Sequence, residues 1–218
     1  MDFSLWLAFV AASFALLLIP GPTILLVLSY ALTQGRKVAI ATASGVALGD
    51  LIAMSASLIG LGALIATSAL AFSIVKWTGA AYLIYLGIKM FRNAPQEGAG
   101  LVKTDSDATP RQVFWHSAFV TALNPKSIGF FIAFVPQFIA VDAAYAPQAT
   151  ILIATFVGLA ALNALAYALL ADRMRATIRR PAVLGWMTRA GGGVLIAKSV
   201  DCCGPEDTRK VFLQHILA

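Results

Sequence analysis

Apolar residues run along this chain in six stretches, at 3–32, 38–65, 69–90, 113–140, 147–171 and 182–197. Most have the length of about 20 residues that a helix needs to cross the hydrocarbon core of a bilayer. The expected fold is an all-α membrane protein with six transmembrane helices. No basic n-region precedes the first stretch, and its apolar run is about twice a signal core, so it is expected to stay as a helix. Basic residues cluster between the first and second stretches (Arg36, Lys37), between the third and fourth (Lys89, Arg92, Lys103, Arg111) and after the fifth (Arg173, Arg175, Arg179, Arg180). Lys and Arg favour the cytoplasmic side. These three loops are therefore expected inside and both termini outside, with Lys76 as the exception. A chain without the sixth stretch, or with one re-entrant stretch, would move a terminus across the membrane. Trp6, Trp77, Trp115 and Trp186 each fall near the start of a stretch, as an interfacial aromatic belt does.

Composition agrees. Of the 218 residues 60% are apolar and 12% charged, against about 45–50% and about 25% in soluble domains, and the mean hydropathy is +0.83. A soluble fold is excluded, and the 17 glycines have no collagen period. The net charge of +6 sits in loops between apolar stretches rather than on one aromatic-rich face, so a nucleic-acid partner is not expected. Cys202 and Cys203 adjoin and offer neither a staple nor an evident redox role. No His/Cys/carboxylate cluster has metal-ligand spacing, and no Ser-His-Asp order or phosphate-binding loop stands out. Neither enzymatic chemistry, a metal nor a cofactor is expected. Uphill transport would draw on an ion gradient or another subunit.

The polar stretch 93–109 divides the chain nearly in half. The boundaries read from it are a three-helix repeat at 1–92, a cytoplasmic linker at 93–112, a second three-helix repeat at 113–197 and a polar tail at 198–218. Three crossings before the linker and three after it invert the second half, giving a 3+3 inverted-topology repeat. In such repeats, Gly/Pro-interrupted helices in corresponding positions point to the binding site. The first stretch would span about 45 Å as one helix, against a core of about 30 Å. Near its middle stands Ile19-Pro20-Gly21-Pro22, whose prolines lack the N–H groups that would serve the carbonyls of Leu16 and Leu18. A break is predicted there. The fourth stretch holds Asn124-Pro125-Lys126, an N-cap followed by proline at the first helical position, and is predicted to restart there. Two restarted helices would aim their positive ends at a common midplane, where an anionic group would sit well.

Asp50 lies within the second stretch, among uncharged residues. A charge at that depth costs about 2.5–3.5 kcal/mol on insertion scales and must face a cavity or a partner. Its carboxylate could receive an ammonium group or carry a proton. Ala41, Gly45, Gly49 and Ala53 recur every four residues on the same helix, a small-residue stripe that lets another helix approach. Lys126 is the natural opposite charge to Asp50 or to a substrate carboxylate. Asn163, midway along the fifth stretch, offers both donor and acceptor, for core bonding or substrate contact. Arg189 could pair inward or mark a helix end, and His116 is expected at the interface.

Pro20-Gly21-Pro22, Gly45 to Gly49-Asp50, and Asn124-Pro125-Lys126 followed by Phe130-Phe131 and Pro136-Gln137-Phe138 together resemble the LysE/RhtB family of amino-acid exporters, over roughly residues 1–197. The resemblance implies a secondary transporter in the bacterial cytoplasmic (inner) membrane. It would export an amino acid or derivative, such as a homoserine-like molecule, by proton antiport. Matched by position, it implies that the two Pro-containing breaks bracket the substrate, with Asp50 and Lys126 as the charged pair. The residues themselves add the expected roles: a substrate site of Pro20, Gly21, Pro22, Thr23, Gly49, Asp50, Asn124, Pro125, Lys126 and Asn163, in which the broken-helix N-termini and Lys126 hold the carboxylate and Asp50 meets the ammonium or exchanges the coupling proton. A carrier of another small solute or ion with this architecture, and a non-transporting membrane subunit, are the competing readings. Small-residue stripes serve packing within one chain or between two, so a homo-oligomer stays open. The chain departs from the family after Gly191-Gly192-Gly193, where Lys198 onward turns polar, by divergence or by a frameshift near Ala197.

Overall fold

The computed structural model describes residues 2–18, 21–67, 70, 74, 77–78, 81–82, 85, 88, 104, 107–140 and 143–178. Most of the third apolar stretch, the whole of the sixth and the tail from 198 lie outside these residues, as do Pro20, Lys76, Trp186, Arg189 and both cysteines. Regular structure among the described residues is helical throughout.

The first apolar stretch forms two helices, α1 (Phe3–Leu18) and α2 (Pro22–Gln34). The interruption falls where the two prolines withdraw backbone donors. A 3₁₀ turn at Gly35–Val38 follows, entered through Gly35 at φ 67°, a left-handed conformation that glycine adopts without steric cost. It leads into α3 (Ala39–Thr67), 29 residues long. After the linker, α4 (Pro110–Ala122) begins with a capping box: Thr109 Oγ1 accepts from the Gln112 N–H at 3.4 Å, and the Gln112 side chain accepts from the Thr109 N–H at 2.8 Å. The chain breaks again at Leu123-Asn124 and restarts as α5 (Pro125–Ala133), followed by a 3₁₀ turn at Val135–Phe138. Finally α6 (Tyr145–Ile178) runs 34 residues without interruption. It continues past the apolar stretch ending at 171, because residues such as Met174, Arg175 and Ala176 are good helix formers. Among the described residues, two helical stretches are long and apolar enough to cross a membrane, Pro22–Ala63, which includes the 3₁₀ turn, and Tyr145–Ala171.

α3 lies at the centre, packed along α4 and α6 and touching α5, while α1 and α2 pack on α6. Its small-residue stripe meets α4. A Cβ on Gly49 would stand 2.5 Å from the Ala118 carbonyl oxygen and 2.7 Å from Thr121 Cβ, and one on Gly45 would overlap the Phe114 carbonyl. Glycine permits this backbone approach. On the other side Phe130 and Phe131 of α5, with its C-cap Phe134, Phe138, Phe9 of α1 and Phe156 of α6, form an aromatic core, the Phe131 and Phe156 rings meeting edge to face at 4.9 Å.

Cross-links tie the two ends of the bundle. The Tyr30 hydroxyl meets His116 Nδ1 at 2.7 Å, His116 itself being exposed. At the other end the Tyr145 hydroxyl donates to the Leu58 carbonyl at 2.7 Å, its ring lying against Gly62. Trp6 donates from its indole to Thr155 Oγ1 at 3.1 Å. Ile40, Ile59, Phe119 and Leu162 stand two-thirds or more exposed while Asp50, Asn124 and Lys126 are buried. Apolar surface outside and charge within suit a lipid surrounding.

Candidate functional site

The two helix breaks meet. Thr23, second residue of α2, accepts hydrogen bonds at its Oγ1 from Asn124 Nδ2 (3.1 Å) and from Thr121 Oγ1 (3.4 Å). Asn124 also caps α5, its Oδ1 accepting from the Lys126 N–H at 3.1 Å. The starts of α2 and α5 are thus bound to each other. The first N–H groups of a helix have no partner inside it and carry its positive end, so both positive ends converge.

The end of α1 lies beside them. Its last carbonyls would be left without donors by the break, and side chains from the second half of the chain serve three in succession. Lys126 Nζ donates to Leu16 at 2.7 Å, Asn163 Nδ2 to Leu17 at 3.1 Å and the Tyr167 hydroxyl to Leu18 at 3.3 Å. Lys126 reaches Leu16 by passing Gly21, where a Cβ would stand 3.4 Å from Lys126 Cδ. Asp50 of α3 is 2% exposed, and its Oδ1 has no hydrogen-bond partner among the described residues. It interacts electrostatically with Lys126.

These groups surround a cavity of about 30 Å³ lined by Gly21, Thr23, Asp50, Asn124, Lys126, Asn163 and their neighbours. That volume suits a water or two and is far below a small-molecule pocket of about 300–1,000 Å³. A cavity of this size does not hold an amino acid in this conformation.

The structure therefore brings together Gly21, Thr23, Asp50, Asn124, Lys126 and Asn163. Pro22 and Pro125 begin the two restarted helices, Pro125 facing a separate apolar cavity of about 500 Å³ with Tyr82 and Ile128. Gly49 sits in the α3–α4 contact, and Pro20 lies outside the described residues. Sequence reasoning missed Ser127, which lines the cavity, and Tyr167. The signal for Tyr167 was available: Ala160, Asn163 and Tyr167 share one helical face. Among the described residues no His/Cys/Asp/Glu group could hold a metal ion.

Broken helices whose ends converge inside an apolar bundle are an arrangement in which membrane transporters bind cargo. The LysE type translocator family model matches residues 14–201, and the chain belongs to that family. It is 35% identical over 197 residues to a homoserine/homoserine lactone efflux protein of Salmonella typhimurium, covering 90% of this chain and 94% of the relative. It is 35% identical over 150 residues to a leucine efflux protein of Salmonella choleraesuis, covering 69% and 70%. An uncharacterized membrane protein of Vibrio cholerae is 32% identical over 196 residues, covering 90% and 95%. No solved structure matches the chain.

Proposed function

We propose that this chain exports an amino acid or amino-acid derivative from the bacterial cytoplasm across the inner membrane, in exchange for protons. The observation that carries the reading is the two-sided electrostatics of the site. Two helix N-termini and Lys126 offer positive potential to a carboxylate. Asp50 and the carbonyl end of α1 offer negative potential to an ammonium group. A zwitterion complements both sides at once. The efflux relatives, named for homoserine, its lactone and leucine, support a small cargo with an amino group; homoserine and its lactone share the ammonium but not the carboxylate.

Coupling follows from Asp50 serving two ligands. A carboxylate that binds the cargo's ammonium must be free of its proton, so cargo and proton exclude each other at the same oxygens and cross in opposite directions. The assembly is six spans in two inverted repeats, 1–92 and 113–197, with the linker 93–112 inside and both termini outside. Supporting this, each repeat begins with a broken helix. The Tyr30–His116 contact marks the end near Arg36, Lys37 and Arg111, and the Leu58–Tyr145 contact the other.

Inside-out vesicles carrying the chain, given labelled homoserine, homoserine lactone and leucine, test the reading. Proton-dependent accumulation of one of them is expected, lost in Asp50→Asn and reduced in Lys126→Ala. Accumulation undiminished by Asp50→Asn would remove the coupling role of Asp50. Absence of amino-acid movement in a folded protein would favour a carrier of another solute or a non-transporting subunit.

A further inference from the structure

We infer that the carbonyl end of α1 and Asp50 form an ammonium subsite, and that Lys126 is its resident occupant in the cargo-free carrier, displaced by the cargo's own amine. The inference rests on the transport reading and adds a selectivity rule to it: the cargo is recognised through a primary ammonium, and a carboxylate is dispensable.

Four observations converge. The Lys126 ammonium already sits where an amine would, 2.7 Å from the Leu16 carbonyl oxygen at the negative end of α1. Asp50, almost wholly buried, presents an Oδ1 without a hydrogen-bond partner among the described residues, and it lines the same cavity as Leu16 and Lys126. Gly21 leaves the lysine stem a path, since its absent side chain would lie 3.4 Å from Cδ and 3.8 Å from Nζ. The remaining space, about 30 Å³, admits no amino acid while Lys126 is in place. A cargo ammonium can reach the Leu16 carbonyl, beside Asp50, only by taking the place of the Lys126 ammonium. Lys126, once released, is free to meet a cargo carboxylate where there is one.

The test uses the full chain in proteoliposomes and competition against whichever labelled amino acid it carries. The competitors are the matching methyl ester, an amine without a carboxylate, and the matching deaminated acid, a carboxylate without an amine. The ester is expected to compete within about tenfold of the amino acid itself, and the deaminated acid not at all. Competition by the acid and none by the ester overturns the subsite while leaving export standing. A second arm reads thermal unfolding of purified Lys126→Ala with millimolar ethylammonium or tetramethylammonium. Ethylammonium should raise the midpoint of the variant and leave the parent unmoved, and tetramethylammonium, which has no N–H to donate, should shift neither protein. Equal responses of variant and parent overturn the proposal. Should no amino acid move, the transport reading fails, and the ethylammonium arm still decides the subsite. Should the variant not fold, the competition arm, run on the unaltered chain, decides it.

Discussion

Lys126 and Asp50 are buried together, and the lysine donates to a backbone carbonyl, that of Leu16, at 2.7 Å. A broken helix exposes carbonyls that cost free energy unless they are served, so part of the polar inventory of the site is spent on the break itself. Tyr167→Phe removes one such donor, from Leu18. It should lower stability by about 0.5–1 kcal/mol, the scale of hydrogen bonds in membrane proteins, readable as an earlier unfolding midpoint in detergent. Gly49 answers to a different constraint. Gly49→Val would drive a side chain into the Ala118 carbonyl and Thr121, and overpacking of that kind costs about 1–3 kcal/mol. Reduced folded yield on size exclusion would register it, and full yield would contradict the close α3–α4 packing.

Between elements, the governing feature is the bond from the cap of α5 to the first turn of α2. Asn124→Ala loses both a helix cap, typically about 1 kcal/mol, and the link to Thr23. Thr23→Val keeps the cap and loses the link, together with the longer bond from Thr121 at 3.4 Å. A double-mutant cycle on the pair should therefore return a coupling energy of about 0.5–1.5 kcal/mol, whereas additive effects would mean that the two helix starts are held independently. The interruption before Pro22 and the break at 123–124 are legible in the sequence because proline removes a donor wherever it stands. That the two helix starts bind one another is not, since 101 residues separate Thr23 from Asn124.

For the molecule as a whole, the small volume of the cavity matters most. Ser127 lines it and is 8% exposed. In a chain with Cys202 and Cys203 replaced by serine, Ser127→Cys should react slowly with a membrane-permeant thiol reagent at rest and faster during turnover. Rapid labelling at rest would show that the site stands open without cargo. On the proposed topology, a cysteine at Lys37 should be labelled from the cytoplasmic side, and one at Ala143 from the outside.

The hydrophobic pattern by itself determined that the chain is helical and built for lipid, where the long uninterrupted helices run, and where proline must interrupt others. All of these follow from local rules of length, donor count and transfer cost. It also singled out Asp50, because a lone carboxylate among apolar residues has no other explanation than a partner or a cavity. Tertiary structure decided which partners the polar groups find. Lys126 turned to the end of α1, Asn163 and Tyr167 joined it there, and Gly49 went to the α3–α4 contact although its neighbour Asp50 faces the site. Adjacent residues on a helix point about 100° apart, so membership of a site depends on which helices come to lie on each face, and that is settled by packing between segments far apart in the chain.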